Sequence, residues 1–253
     1  MSGRVRNAPK ENGMIEIDQE LAAKLALSCN ILAQEGQTDM TLVHVSARLP
    51  GQEIVYMKPY AMGLDEVTKG DIILLDFEGN KLLGEHRRHT EYPLHTEIYK
   101  LRADVNCVIH THPLYAVILG AAGGQLRPLS HEGTLFLDLP LFQETTELIR
   151  TPAQGKAVAC ALGQARAILL KNHGMVVVAQ SVEEATIYAI LLEKAAKVEI
   201  LARQAGPVTW STEEECLRKI EQIYHPRAMQ NYWNYYVRQI EGKRAIMEKR
   251  SCS

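Results

Sequence analysis

His110 and His112 stand two residues apart at the end of an apolar run, Cys107-Val108-Ile109-His110-Thr111-His112-Pro113. The run reads as a buried strand. Side chains on a strand alternate between faces, so the two imidazoles point the same way, with Cα atoms about 6.5 Å apart. That spacing lets both converge on one metal ion. A pair satisfied in the core or by water has the same pattern, so the chemistry depends on further ligands. His173 is the third candidate. It lies between the apolar runs Ala167–Leu170 and Met175–Val178, where Asn172 and Gly174 read as turn formers, and so again at a strand end. The fourth candidate is a carboxylate, Glu91, just before an amphipathic segment from Leu94 to Leu101 with Pro93 in its first turn. Neutral imidazoles leave the double charge of a bound ion intact and coordination positions open, which is the donor set of a Lewis-acid centre.

The elements that must hold these residues can be read from local signals. Pro113 suits the first turn of a helix running through Leu114–Leu119. Asp18 caps a first helix, about Gln19 to Gln34, and Gly36 ends it. Val43–Leu49, Ile54–Met57 and Ile72–Phe77 read as strands, the first two joined by Pro50-Gly51. Glu78-Gly79-Asn80 makes a tight turn into Lys81-Leu82-Leu83. Pro128 to Pro140 reads as irregular, and Glu144–Thr151 and Gly155–Leu162 as helical. Ser181-Val182-Glu183-Glu184 reads as a capping box opening a long helix to about Ala205, stopped by Gly206-Pro207. Ser211 with Glu214 starts another helix, and Tyr224–Arg250 is a basic, aromatic extension carrying Tyr232, Trp233, Tyr235 and Tyr236. Strand-rich blocks separated by helices predict one α/β domain over 15–253, preceded by a loose polar tail, 1–14.

Composition excludes several classes. The chain has 253 residues, 46% of them hydrophobic, enough for one full core. A formal charge of -2 provides no basic field for nucleic acid or an anionic membrane. Five cysteines, Cys29, Cys107, Cys160, Cys216 and Cys252, are scattered with no C-x-x-C. That argues against a disulfide framework and for a reducing compartment, with the cytoplasm as the expected location. No stretch is long and apolar enough to span a bilayer, and Met1–Asn12 lacks the apolar centre of a signal peptide.

Five motifs in order extend the reading: His44-Val45-Ser46-Ala47-Arg48, Asp76-Phe77-Glu78-Gly79-Asn80, Thr90-Glu91 before a helix, His110-Thr111-His112, and Asn172-His173-Gly174. In this order and spacing the chain, from about Gln19 to Glu199, resembles the class II aldolase/adducin head-domain family. The resemblance implies a three-layer fold, a mostly antiparallel central sheet flanked by helices. It also implies one divalent ion held by His110, His112 and His173, with Glu91 as acid/base and sometimes a fourth ligand. Zn²⁺ suits these ligands best, and Mn²⁺, Co²⁺ or Fe²⁺ fit the same ligand types. Family members are commonly homotetramers with sites between subunits, where a C-terminal aromatic residue can reach a neighbour's site. The Tyr232–Tyr236 cluster is therefore either a packing face or subunit contact, or the source of a proton donor.

Departures from the family pattern narrow the substrate. Sugar-phosphate members cradle a phosphate with Gly-Asn before the Val-x-Ser strand, Thr-Gly after a proline, and Ser-Ser before the glutamate. Here those places hold Val43-His44, Tyr60-Ala61 and His89-Thr90. Bulky Tyr60 and His44 fill the space that small residues and hydroxyls would leave for a phosphate. Glu85-His86-Arg87-Arg88-His89 offers a replacement anchor, since arginine presents a planar fork suited to a carboxylate. His44 and His89 stand where relatives contact substrate. His95, four residues after Glu91, shares its helix face and reads as a packing or supporting histidine. His131 and His225 read as structural or solvent-facing.

The leading expectation is a metal-dependent carbon–carbon lyase working through a stabilised enolate. It leans to decarboxylation of a small unphosphorylated hydroxyaryl or keto acid. An aldolase acting on an unphosphorylated hydroxy or keto acid is the alternative. A non-catalytic adducin-like interaction module is a third reading, disfavoured because the ligand set is complete. A sugar-phosphate aldolase or epimerase is a weaker fourth.

Overall fold

The structure is a computed structural model that describes residues 15–251; the expected tail, 1–14, lies outside the described residues. Asp18 opens α1 (Gln19–Gln34) by accepting the Leu21 N–H at 2.8 Å. There follow β1 (His44–Ala47), β2 (Val55–Met57), β3 (Ile73–Leu75), β4 (Lys81–Leu83), α2 (Tyr92–Leu101), β5 (Cys107–Thr111) and α3 (Leu114–Ala121). The second half contains β6 (Leu141–Phe142), α4 (Pro152–Leu162), β7 (Ala167–Leu170), β8 (Gly174–Ala179), α5 (Val182–Ala205), α6 (Glu213–Ile223) and α7 (Pro226–Ser251).

The strands form one eight-stranded sheet in the order β4-β3-β2-β1-β5-β8-β7-β6, antiparallel except for the β6–β7 pair. Central strands are buried throughout because both faces are covered, which is why they read as unbroken apolar runs. On one face Val45, Cys107, Ile109, Met175 and Val177 pack with α1, α3, α5 and α7. On the other, Val108, Val176 and Val178 pack with Leu94, Ile98 and Tyr99 of α2 and Val158 and Leu162 of α4. The expected α/β three-layer architecture with a mostly antiparallel sheet is the architecture observed.

Register delivers the chemistry to one end of the sheet. His44 of β1 lies opposite His110 of β5, and Thr111 opposite Met175 of β8. The β7–β8 turn brings in His173, with Asn172 in the left-handed region at φ 55°. Gly174 is required there by close approach. A Cβ on it would lie 2.5 Å from the Thr111 carbonyl oxygen and 2.6 Å from the His112 ring.

Four local expectations need correction. Glu144–Thr151 is not helical: a helix would occupy the Ile149 N–H, which here is given to Glu91 Oε1 at 2.7 Å. The helix starts instead at Thr151, in a capping box with Gln154 and with Pro152 in the first turn. Ser181 does accept the Glu184 N–H, but no capping box closes, because the Glu184 carboxylate takes the Tyr188 hydroxyl at 2.6 Å. The box expected at Ser211 and Glu214 is one residue on, at Thr212 and Glu215, and Ser211 Oγ accepts from Lys219 Nζ instead. Within Pro128–Pro140, Glu132–Phe136 forms a 3₁₀ turn, and the adjoining β6 is too short to carry a sequence period.

Candidate metal centre

His110, His112 and His173 converge. Their ligand atoms lie within 4.8 Å of one another. His110 is buried, and its Nδ1 donates to the Met175 carbonyl at 3.0 Å, so its Nε2 carries a lone pair. His112 Nδ1 donates to Asp39 Oδ2 at 2.8 Å, so its Nε2 is a lone pair as well. These two Nε2 atoms face each other 2.9 Å apart. Two lone pairs at that distance repel unless a cation or proton lies between them. His173 Nε2 is also buried and has no hydrogen-bond partner. The donor set fits a divalent ion, and the outer nitrogens of His110 and His112 are already held by Met175 and Asp39.

Electrostatics favours the neutral forms of His110 and His173. Burial, then the neighbouring rings of His112 and His173, pushes His110 well below the ordinary histidine range. Burial lowers His173 to about 4, with His112 acting in the same direction. Neutral imidazole is the ligand form.

Glu91 stands at the N-terminal end of α2, almost wholly buried, with the two carboxylate oxygens facing different ways. Oε1 accepts the Ile149 N–H and lies 3.9 Å from His173 Nε2; Oε2 lies 3.5 Å from His44 Nε2. Burial raises its pKa, opposed by the Ile149 N–H and the Arg150 charge. A carboxyl so placed can hold or release a proton beside the histidine cluster.

The structure separates the remaining sequence candidates. His44 and His89 are buried beside Glu91, and these three form a second group of donor atoms within 4.8 Å of one another. The His44 and His89 ring centroids lie 4.0 Å apart with the planes tilted by 43°. Tyr60 borders His89, its ring centroid 5.8 Å away. Arg87 and Arg88 are both exposed, stacked on Tyr60 at 5.8 Å and on Tyr92 at 4.1 Å. His95 is buried between His44 Nδ1 and Ser46 Oγ, the supporting place expected of it. His131 and His225 are exposed. Tyr232 bonds the Ile223 carbonyl, and Tyr232, Tyr235 and Tyr236 line a cavity of 280 Å³ against α5.

Sequence reading missed Asp39, Ser46 and Tyr99 as parts of this region. Asp39 lies 73 positions from its partner, in a loop with no pattern of its own. Carboxylate partners hold ligand rings in one tautomer and raise their basicity. Asp39→Asn is therefore expected to weaken metal binding about 10- to 100-fold without unfolding the chain. Competition with a chelator of known affinity measures it; an unchanged dissociation constant would separate Asp39 from the ligand set.

Fold and site now meet known proteins. The family profile described as class II aldolase and adducin N-terminal domain matches residues 23–200, and the chain belongs to that family. It is 32% identical over 196 residues to 3,4-dihydroxyphthalate decarboxylase of Arthrobacter keyseri, covering 72% of this chain and 78% of that one. It is 31% identical over 147 residues to L-fuculose phosphate aldolase of Methanocaldococcus jannaschii, covering 58% and 78%. The structure of L-fuculose 1-phosphate aldolase from Glaciozyma antarctica PI12 superposes with a TM-score of 0.80 over 94% of this chain and 95% of that one, at 24% identity, which shows the shared fold.

Proposed function

We propose that this chain is a divalent-metal-dependent carbon–carbon lyase that removes carbon dioxide from a small unphosphorylated hydroxyaryl or keto carboxylic acid. The observation that carries the metal is the pair of facing lone pairs on His110 and His112, 2.9 Å apart, beside the unpartnered His173. One ion per chain, zinc before manganese, cobalt or iron, would be held by His110, His112 and His173, with Glu91 as acid/base and optional fourth ligand. That ion supplies a Lewis acid for the negative charge that develops on substrate oxygen.

The chain's own groups do the rest. The bond between the substrate's carboxylate carbon and its neighbouring carbon breaks, carbon dioxide leaves, and the electron pair remains on the substrate carbon. Glu91, whose burial favours its protonated form, delivers the proton to that carbon. The Ile149 N–H fixes the carboxyl, and His44 faces its second oxygen. His44, Tyr60, His89, Arg87 and Arg88 are the substrate-side residues of this reading, and the decarboxylase relative, similar over 72% of the chain, supports it.

Aldol cleavage is the second reading, favoured by the similarity to the M. jannaschii aldolase. It uses the same centre and differs in whether the departing fragment is carbon dioxide or an aldehyde. The proposal also places one domain over 15–253, assembled as a cytoplasmic homotetramer with sites near subunit interfaces. Among the described residues no helix is long and apolar enough to cross a membrane, and the four described cysteines are free.

The test combines metal analysis with a panel of hydroxyaryl and keto acids. Near one equivalent of ion per chain with metal-dependent carbon dioxide release is the expected result. Aldehyde or pyruvate release selects the aldolase. Absence of metal, with no rebinding, returns the chain to an adducin-like interaction role.

A further inference from the structure

The layer between α2 and the sheet is apolar around Leu94, Ile98 and Val108, yet four buried residues there meet through polar atoms. His44 and Ser46 are two apart on β1 and so share one face of the strand. His95 and Tyr99 are four apart on α2 and so share one face of the helix. The two pairs interlock. Tyr99 Oη meets Ser46 Oγ at 2.8 Å, Ser46 Oγ meets His95 Nδ1 at 2.6 Å, and His95 Nε2 meets His44 Nδ1. His44 Nε2 then faces Glu91 Oε2 at 3.5 Å. A helix that had only to pack would hold apolar residues at these places, because buried polar groups cost free energy until each is paired.

The Tyr99 proton sets the direction of the chain. Burial holds the phenol protonated, and the Val108 backbone beside it opposes that shift, as a donor does. Ser46 Oγ is the one acceptor for that hydroxyl among the described residues. Tyr99 therefore donates to Ser46, and Ser46 donates to His95 Nδ1. His95 then bears its proton on Nε2 and gives it to His44 Nδ1. His44 is left with its proton on Nε2, facing Glu91. Reversing the chain leaves a buried phenol proton without an acceptor.

Two consequences follow for the site. Glu91 is approached by a donor on each oxygen, the Ile149 N–H at Oε1 and the His44 N–H at Oε2. Both nitrogens of His44 are also committed, Nδ1 as acceptor and Nε2 as donor. His44, His89 and Glu91 have the spacing of a metal donor group, but this ring has no lone pair left for an ion. His110 and His112 are the opposite case. Their outer nitrogens donate to oxygen, which leaves the inner ones as lone pairs.

We propose that Tyr99, Ser46 and His95 are positioning residues: they hold His44 in the tautomer whose N–H faces Glu91, so that His44 orients the Glu91 carboxyl and does not bind metal. This deepens the lyase reading, in which Glu91 carries the proton, whereas the tautomer is a property of the folded chain alone.

Neutron diffraction from crystals of the perdeuterated, zinc-loaded chain locates the ring protons directly. Deuterium on Nε2 of both His44 and His95 is the expected result, with zinc at the three-histidine centre. Deuterium on Nδ1 of either ring, or zinc on His44 Nε2, overturns the proposal. Kinetics of Tyr99→Phe then test the positioning role, with whichever acid of the panel the wild type turns over. The substitution keeps the ring beside Phe77 and Arg48 and removes only the terminal donor. Ser46 is then free to point either way, and the bias that one hydrogen bond supplies is lost. kcat is expected to fall about two- to tenfold at unchanged KM and zinc content. An unchanged kcat, or a change in thermal stability alone, overturns the positioning role. If the wild type turns over no acid, the lyase reading fails and the neutron map still decides the tautomers. The same map decides if the variant does not fold.

Discussion

His112→Ala is expected to lose bound metal and to reduce turnover by more than about 100-fold, with far-ultraviolet circular dichroism unchanged. The scale follows from the ligand's place. Removing an outer partner of a metal ligand already lowers affinity about 10- to 100-fold, and removing the ligand itself exceeds that. His112 Nε2 faces His110 Nε2, so alanine also relieves the repulsion that makes this position attractive to a cation. The fold should tolerate the change, because His112 follows the end of β5 and its side chain is 10% exposed rather than locked in the core. His110→Ala is a poorer test, since that ring is fully buried and bonded to the Met175 carbonyl, and its loss leaves that acceptor unpaired. Elemental analysis and steady-state rates on the same preparation read the result. Near-normal metal content and turnover in His112→Ala would remove the three-histidine centre and the proposed chemistry together.

Much of this region was legible in the chain itself because it follows short-range rules. The two-residue period of a strand put His110 and His112 on one side. Asn172 and Gly174 marked a turn that would carry His173 to a strand end, although Gly174 is there for contact with His112 and not for an unusual backbone angle. Glu91 and His95 stand four residues apart, and α2 turns His95 toward Ser46 and His44. What could not be read were partners distant in sequence. Asp39 meets His112 only because the loop after α1 folds under β5, and the Ile149 N–H reaches Glu91 across 58 positions. The second case also explains the failed helix at Glu144–Thr151. Local composition favoured a helix, whereas the tertiary need of a buried carboxylate for a donor decided the backbone.

The arginine pair shows the converse limit. Arg87 and Arg88 had the right chemistry for a carboxylate, and their sequence position next to Glu91 was suggestive. In the fold their guanidinium groups lie over Tyr60 and Tyr92 on the exposed side of the loop. Burial, which a sequence does not state, separates a solvated cation from one that can discriminate a substrate.

Glu91→Gln is expected to retain metal and lower kcat about 10²- to 10⁴-fold, the range for loss of a positioned acid or base. Glutamine has the same shape, and its amide oxygen can still accept the Ile149 N–H, so the end of α2 and the Thr151 helix start should stay in place. Three histidines remain to hold the ion if Glu91 is not an obligatory ligand. What disappears is a group that can carry a proton between the cluster and the substrate. A fall in kcat at constant zinc content and nearly constant KM is the signature of a proton carrier. Loss of zinc in the same variant would make Glu91 a required ligand instead. Turnover equal to wild type would show that the proton is handled elsewhere, and the C-terminal tyrosines of a neighbouring subunit would be the next residues to replace.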